Sequence, residues 1–211
     1  MSVAQTVSEE QAIQEYLGIL QYKASCLVLA LGDARKCTGR DIKTGKKNHD
    51  STPKPGCWLG AIGYMALLDQ IGSCLKPRGE KASRESGILR ALKHFSDLEH
   101  KKIEAIYALR CAFAHDYNLA NENKEKADRQ HVFTVDEGEQ APLIKLPDVP
   151  WNGDYKSVGR ENKTVVHLEL FGDLVESTYQ DLCAKARRGE LEIALSGGVD
   201  ELRIRYFTTI T

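Results

Sequence analysis

The sequence predicts one mainly α-helical domain, with a small β-hairpin insertion and a C-terminal strand. Three observations carry that expectation. Apolar residues recur at helical spacing through most of the chain. Serine, glycine and proline punctuate those stretches. A two-residue period is confined to 130–147 and the tail. The 211 residues suffice for one domain (1–211) with a real core.

Composition narrows the function classes. With 42% apolar and 28% charged residues, wholesale disorder is excluded. A net charge of −1 gives no bulk attraction to nucleic acid or membrane, while leaving room for a local basic patch. Residues 1–10 are polar and acidic, so no secretion signal is expected. The longest apolar stretch, 58–75, is interrupted by Asp69 and Gln70 and carries three glycines, so it reads as a buried helix and not a membrane span. Of the six cysteines, four lie in helical apolar patterns, and none forms a closely spaced metal-binding pair. Free, mostly buried thiols are expected, and with them a cytoplasmic location.

The first helix is expected to start behind Ser8, with Gln11 completing a capping box. Ile13, Tyr16, Leu17, Leu20, Ala24, Leu27, Val28 and Leu31 form its apolar face, and Gly32 its stop. Residues 33–56 carry seven Lys/Arg against three Asp and read as a basic loop, either a solvated connector or a phosphate-contacting arm. His49 and Asp50 in that loop lack further ligands, so no metal site is expected. The next helix spans 58–75, apolar nearly all round and therefore central, with Pro77, Arg78 and Gly79 ending it. A short helix over 85–95 follows. Ser96 and Glu99 form a second capping box that opens a helix reaching about Tyr117. Strands at 131–135 and 143–146 make the hairpin, turning at 136–140. A long helix occupies 168–187 and stops at Gly189. Leu202, Ile204 and Tyr206 alternate with Arg203 and Arg205, which suggests the final strand.

The helix ending near Tyr117 holds an anomaly. Its 105–114 segment is apolar or weakly polar except for Arg110. A helix apolar on all sides should be buried on all sides. A buried arginine must be paired or bind something, because an unpaired buried charge costs several kcal/mol. A structural ion pair with Glu85, Asp97 or Glu99 would satisfy it. Alternatively, Arg110 acts with His115 and Asp116, which follow where the apolar run stops. Histidine is the side chain best suited to proton transfer near neutral pH. Arginine offers a permanent charge and a fork of donors for phosphate. Together they suit cleavage of a phosphodiester. Positions five apart on one helix lie about 140° apart around it. The pair therefore needs a helix distortion near Phe113 or a second copy packed alongside.

The string Leu109-Arg110-Cys111-Ala112-Phe113-Ala114-His115-Asp116 resembles the signature of the HEPN superfamily, an arginine and a histidine separated by four to six residues late in a helical bundle. The resemblance covers roughly 10–187 and implies an HEPN-like helical bundle. It further implies a homodimeric, metal-independent endoribonuclease with RNA as substrate. Such proteins serve as toxins with cognate antitoxins, or in anti-phage defence. Arg110 and His115 of both copies would be the catalytic residues, with Asp116, Cys111 and Asn118 in support and no cofactor. Attack by the ribose 2′-hydroxyl would leave a cyclic phosphate. Active members often have Asn, Asp or His after the arginine; Cys111 departs from that pattern and favours the alternative of a non-catalytic HEPN-fold module that dimerises or binds a protein or nucleotide. Lys101, Lys102, Arg84 and Arg90 are the candidate RNA-binding cations. His94, His100, His131 and His167 are given no role, and Trp58, Tyr64, Tyr107 and Tyr117 are expected in the core or an interface.

Overall fold

In chain order the elements are α1 (Glu9–Tyr16), α2 (Cys26–Cys37), α3 (Cys57–Cys74), β1 (Leu75–Pro77), α4 (Gly87–Phe95) and α5 (His100–Asp116). They continue with β2 (Ala120–Asn121), β3 (His131–Val135), β4 (Ile144–Lys145), β5 (Lys163–Val166), α6 (Leu168–Arg187), β6 (Leu191–Ile193) and α7 (Gly198–Tyr206). This computed structural model describes residues 7–20, 24–47, 57–81, 83–138 and 140–208; the side chains of His115 and Asp116 also lie outside the described residues. The chain is mainly helical, with two small sheets among the described residues.

Helix α3 is the axle. It packs against α2, α4, α5 and α6, burying Ala61, Tyr64, Met65, Leu67, Leu68 and Ile71. The α3–α4 contact is a backbone contact: a Cβ on Gly72 would sit 2.0 Å from the Gly87 carbonyl oxygen, and one on Gly87 would sit 1.9 Å from that of Asp69. Two glycines therefore set how closely these helices cross. Phe133, Ile144 and Val166 of the larger sheet join the same buried cluster as the helices.

The expected first helix is two helices. Ser8 caps α1 as anticipated, its hydroxyl accepting from the Gln11 amide at 3.2 Å. The chain then breaks at Gly18, whose φ of +70° is open to glycine at little cost. Ser25 starts α2 by accepting from the Val28 amide, and its hydroxyl donates to the Tyr16 carbonyl at 2.6 Å. Gly32 does not stop α2, which runs on to Cys37.

Helix α2 thus takes up the start of the supposed 33–56 loop, and 40–47 folds as a docked turn. Arg35 makes a two-pronged, buried pair with Glu176 of α6, at 2.8 and 2.7 Å, and also holds the Ile42 carbonyl. Arg40 pairs with Asp173, and Lys47 bridges Glu169 and Asp173. These three acids recur along one side of α6, so the turn's charge is matched by protein carboxylates. The phosphate-arm reading fails for these cations. His49, Asp50 and Lys54 lie outside the described residues.

Three further expectations are corrected. Ser96 does not open α5; its hydroxyl bonds back to the Leu92 carbonyl at 2.6 Å, closing α4, and Glu99 is the residue before α5. The 130–147 hairpin is absent, because β5 inserts between its two strands. The sheet order is β2-β3-β5-β4, with β3 and β5 parallel and the other pairs antiparallel. The tail is a helix, not a strand: Leu202 is buried while Ile204 is 83% exposed, and Glu201 caps the Gly197 amide and pairs with Arg205 one turn on. Sequence reasoning missed β1, β2, β5 and β6, of which β6 pairs antiparallel with β1.

Candidate functional site

Helix α5 is not buried on all sides. Ile103, Ala105, Ile106, Ala108, Leu109, Ala112 and Phe113 face the core. Tyr107, Arg110 and Cys111 are half-buried and Ala114 is exposed. Those four positions fall at i, i+3, i+4 and i+7, which is one stripe of a helix. Arg110 stands on this open stripe and not in the core.

Its guanidinium is held by Asp69 of α3. Nε and Nη2 lie 2.7 and 2.6 Å from Asp69 Oδ2, with the two side chains 33% and 21% exposed. Burial works against the arginine's charge, but the Asp69 carboxylate outweighs it, so the pKa is raised above the ordinary arginine value. The other oxygen of Asp69 accepts from the Ile88 amide in the first turn of α4, at 2.9 Å. One carboxylate therefore ties α3, α4 and α5 together at this point. The partners anticipated from sequence are engaged elsewhere or absent from this contact: Glu85 holds Lys93, and Glu99 lies 3.6 Å from Lys102. A pocket of about 170 Å³ opens beside the pair, walled by Ile62, Met65 and Ala66 of α3 and by Phe113 and Ala114 of α5.

Beyond Arg110 the helix is unbroken through Asp116, so no distortion near Phe113 brings positions 110 and 115 to one side. His115 and Asp116 are placed in the last turn, and their side chains lie outside the described residues. Tyr117 ends the helix in the left-handed region at φ 52°, the one positive-φ non-glycine among the described residues. A bulky residue there is strained. Its ring rests on Phe113 and Trp58, and Trp58 on Phe113, with centroids 5.1 to 6.4 Å apart. Tyr117 is still 54% exposed and Leu59, in the first turn of α3, 61%. The open face of α3 and α5 is thus apolar at this end.

The supporting candidates separate. Cys111 lies beside Tyr107, and burial together with that thiol raises the Tyr107 pKa. Asn118 accepts from the Ala120 amide at 2.7 Å, shaping the exit from α5. Arg84 lines a second pocket with Tyr107 on the α5 stripe. Arg90 donates to the Ser83 carbonyl at 3.3 Å, which is a local structural role. Lys101 is exposed but nine positions before Arg110, so it points about 180° away on a regular helix. Lys102 sits beside Glu99. The structure therefore brings Arg84 to the Arg110 face and leaves Lys101 off it.

Sequence reasoning missed Asp69 as the partner, although the signal existed: a lone carboxylate in one apolar helix and a lone guanidinium in another. It also missed Arg129, which bonds Glu104 at 2.5 Å and lies 4.4 Å over the Tyr107 ring. His131 and His167 have structural tasks. His131 bridges Thr164 Oγ1 and the Asp128 carbonyl, and burial lowers its pKa. His167 caps α6 through the Leu170 amide.

No disulfide joins the six cysteines, and only Cys74 and Cys183 are buried, fewer than expected. Among the described residues no cluster of three or more His, Cys, Asp or Glu side chains is placed to hold a metal ion. No described helix is long and apolar enough to cross a membrane. A scan against protein-family models finds no match, and searches of curated proteins and solved structures find none either.

Proposed function

We propose that the chain is an HEPN-type, metal-independent endoribonuclease that works as a homodimer, as a toxin or an anti-phage defence component of the cytoplasm. One observation supports this above the rest: Arg110 is firmly charged, held in place by Asp69, and opens onto an apolar groove at the end of the helix that carries His115. Within one copy, positions 110 and 115 diverge by about 140°. A second copy seated on the exposed Leu59–Tyr117 face would bring both motifs into one cleft. There an imidazole takes the proton of the ribose 2′-hydroxyl as its oxygen attacks phosphorus. The bond from phosphorus to the 5′ oxygen breaks, and that oxygen receives a proton from the second copy's imidazolium. Arg110 stabilises the charge on the phosphorus oxygens. Products are a 2′,3′-cyclic phosphate and a 5′-hydroxyl.

A second reading is favoured by a specific feature. The Asp69 pair meets the needs of Arg110 inside its own bundle, and Cys111 occupies a position that active HEPN members often fill with a polar residue. On that reading the chain is a non-catalytic dimerisation or binding module for a protein or nucleotide. Incubation with single-stranded and structured RNA in EDTA separates the two. Cleavage by the wild type, with loss in both Arg110→Ala and His115→Ala, supports the nuclease. Equal background from all three supports the module. Light scattering on the same samples reads the dimer, and a monomer at micromolar concentration contradicts the composite site.

A further inference from the structure

The pocket that Arg84 shares with Tyr107 has a volume of about 470 Å³ and is separate from the Arg110 groove. Its walls come from the segment before α4, from α5 and from the loop carrying Lys126 and Arg129. The charges sort unevenly. Arg129 is neutralised by Glu104 and covers one face of Tyr107. Glu85, the acid of the pocket, is taken up by Lys93. Arg84 and Lys126 are exposed and make no ion pair among the described residues, so two cations without a carboxylate partner there line the pocket.

Position decides what such a pocket can take. Tyr107 and Arg110 are three residues apart on one stripe, about 4.5 Å along the helix axis. Exposed Arg84 and Lys126 at one opening, and the Asp69-held, part-exposed Arg110 at the other, lie along the same side of α5 and suit a ligand with more than one phosphate along an extended backbone. We propose that this pocket is a flanking-phosphate subsite for single-stranded RNA, Arg84 and Lys126 gripping the phosphodiester next to the one presented to Arg110. The inference rests on the reading of the Arg110 face as an RNA-processing site. It adds which neighbouring side chains select for a strand over a mononucleotide. Arg84 and Lys126 are binding residues in it and touch no reacting atom.

The test is fluorescence anisotropy of a labelled 12-nucleotide single-stranded RNA in EDTA across a salt series. It compares wild type, Arg84→Ala/Lys126→Ala, and a charge-matched control, Lys36→Ala/Lys43→Ala, at exposed positions in α2 and the docked turn. The background for every protein is Arg110→Ala, so that no substrate is consumed. Removing two phosphate contacts lowers the slope of log K against log salt by about 1.4, and weakens binding on the order of tenfold at low salt. The control keeps the parent slope and affinity. Strand binding that depends on Arg84 and Lys126 supports the subsite even if the enzyme with Arg110 intact cuts nothing, in which case only the nuclease reading falls. Unchanged slope and affinity in the double variant overturn the subsite even if the native enzyme cleaves RNA. Equal competition by inorganic phosphate or a mononucleotide at the strand's own concentration also overturns it.

Discussion

Replacing Asp69 separates what the carboxylate does for the fold from what it does for Arg110. Its two oxygens have different tasks: Oδ2 holds the guanidinium at 2.6 Å and Oδ1 holds the Ile88 amide at 2.9 Å. The ion pair is a third exposed on the arginine side, so solvent screening limits it to about 0.5–1 kcal/mol. The amide bond satisfies an N–H in the first turn of α4, where a negative charge is also favoured, and losing such a cap costs about 1 kcal/mol. Asp69→Ala removes both and should cost about 2 kcal/mol. Asp69→Asn keeps an acceptor for Ile88 and should cost about 1 kcal/mol or less. Arg110→Ala should cost only the pair, about 0.5–1 kcal/mol, and a double-mutant cycle between Asp69 and Arg110 should return a coupling of similar size. Urea unfolding followed by circular dichroism measures each, with constant m-values as the check on two-state behaviour. The ordering is the content of the prediction. Arg110→Ala costing more than Asp69→Ala would mean that the guanidinium is a keystone of the bundle and that its exposure is incidental, which refutes the argument that it is held ready for a ligand.

Other expected outcomes follow from the same structure. Glu176→Ala strands the buried Arg35 guanidinium and also the Tyr64 hydroxyl, which donates to Glu176 Oε1 at 2.9 Å, and should lower stability by about 3–5 kcal/mol; the Arg35→Met/Glu176→Met double variant should lose less than either single, because no charge is left unpaired. Gly72→Ala drives a methyl into the backbone of α4 and should destabilise by about 3 kcal/mol, while Gly79→Ala, with nothing within 4 Å, meets only the strain of its positive φ; thermal melts compare the two. Burial depresses the pKa of His131, so the folded state resists protonating it. The unfolded chain then binds more protons below the ordinary histidine range, and stability contributed by neutral His131 is present above about pH 6.5 and lost as pH falls from there toward the folded value. Urea midpoints of wild type and His131→Asn between pH 8 and pH 5 should converge on the acid side; parallel profiles contradict that assignment.

Which parts of this fold could be read from sequence has a physical explanation. The bounds of α3 and α6 were legible because both are long, and because their apolar positions persist until a strand or glycine intervenes. The first helix was misjudged because Leu17, Leu20, Ala24 and Leu27 keep helical spacing across a break that a single left-handed glycine produces. Strand order was hidden because β5 reaches its neighbours from nearly thirty residues downstream of β3, and local periodicity carries no information on pairing partners. The tail alternates by accident: only Leu202 is buried, and the residues after it are paired or exposed on a short helix. At the candidate site, the placement of positions 110 and 115 late in one helix was legible. The open stripe was not, since apolar composition alone does not say which side of a helix its neighbours leave uncovered. Asp69 was visible as a break in an apolar helix but not as a partner, because the two helices meet only through tertiary packing.

The central claim is that Arg110 and His115 serve 2′-hydroxyl attack on an RNA phosphodiester without a metal. Its most direct measurement is the end chemistry of one cleaved oligoribonucleotide in EDTA, beside the same strand carrying 2′-deoxyribose at the cleaved position. The account predicts a 2′,3′-cyclic phosphate and 5′-hydroxyl from the ribose strand, no cut at the deoxyribose, and no cut of either strand by Arg110→Ala. Cleavage at the deoxyribose position, or wild-type and Arg110→Ala proteins that leave both strands equally intact, contradicts it.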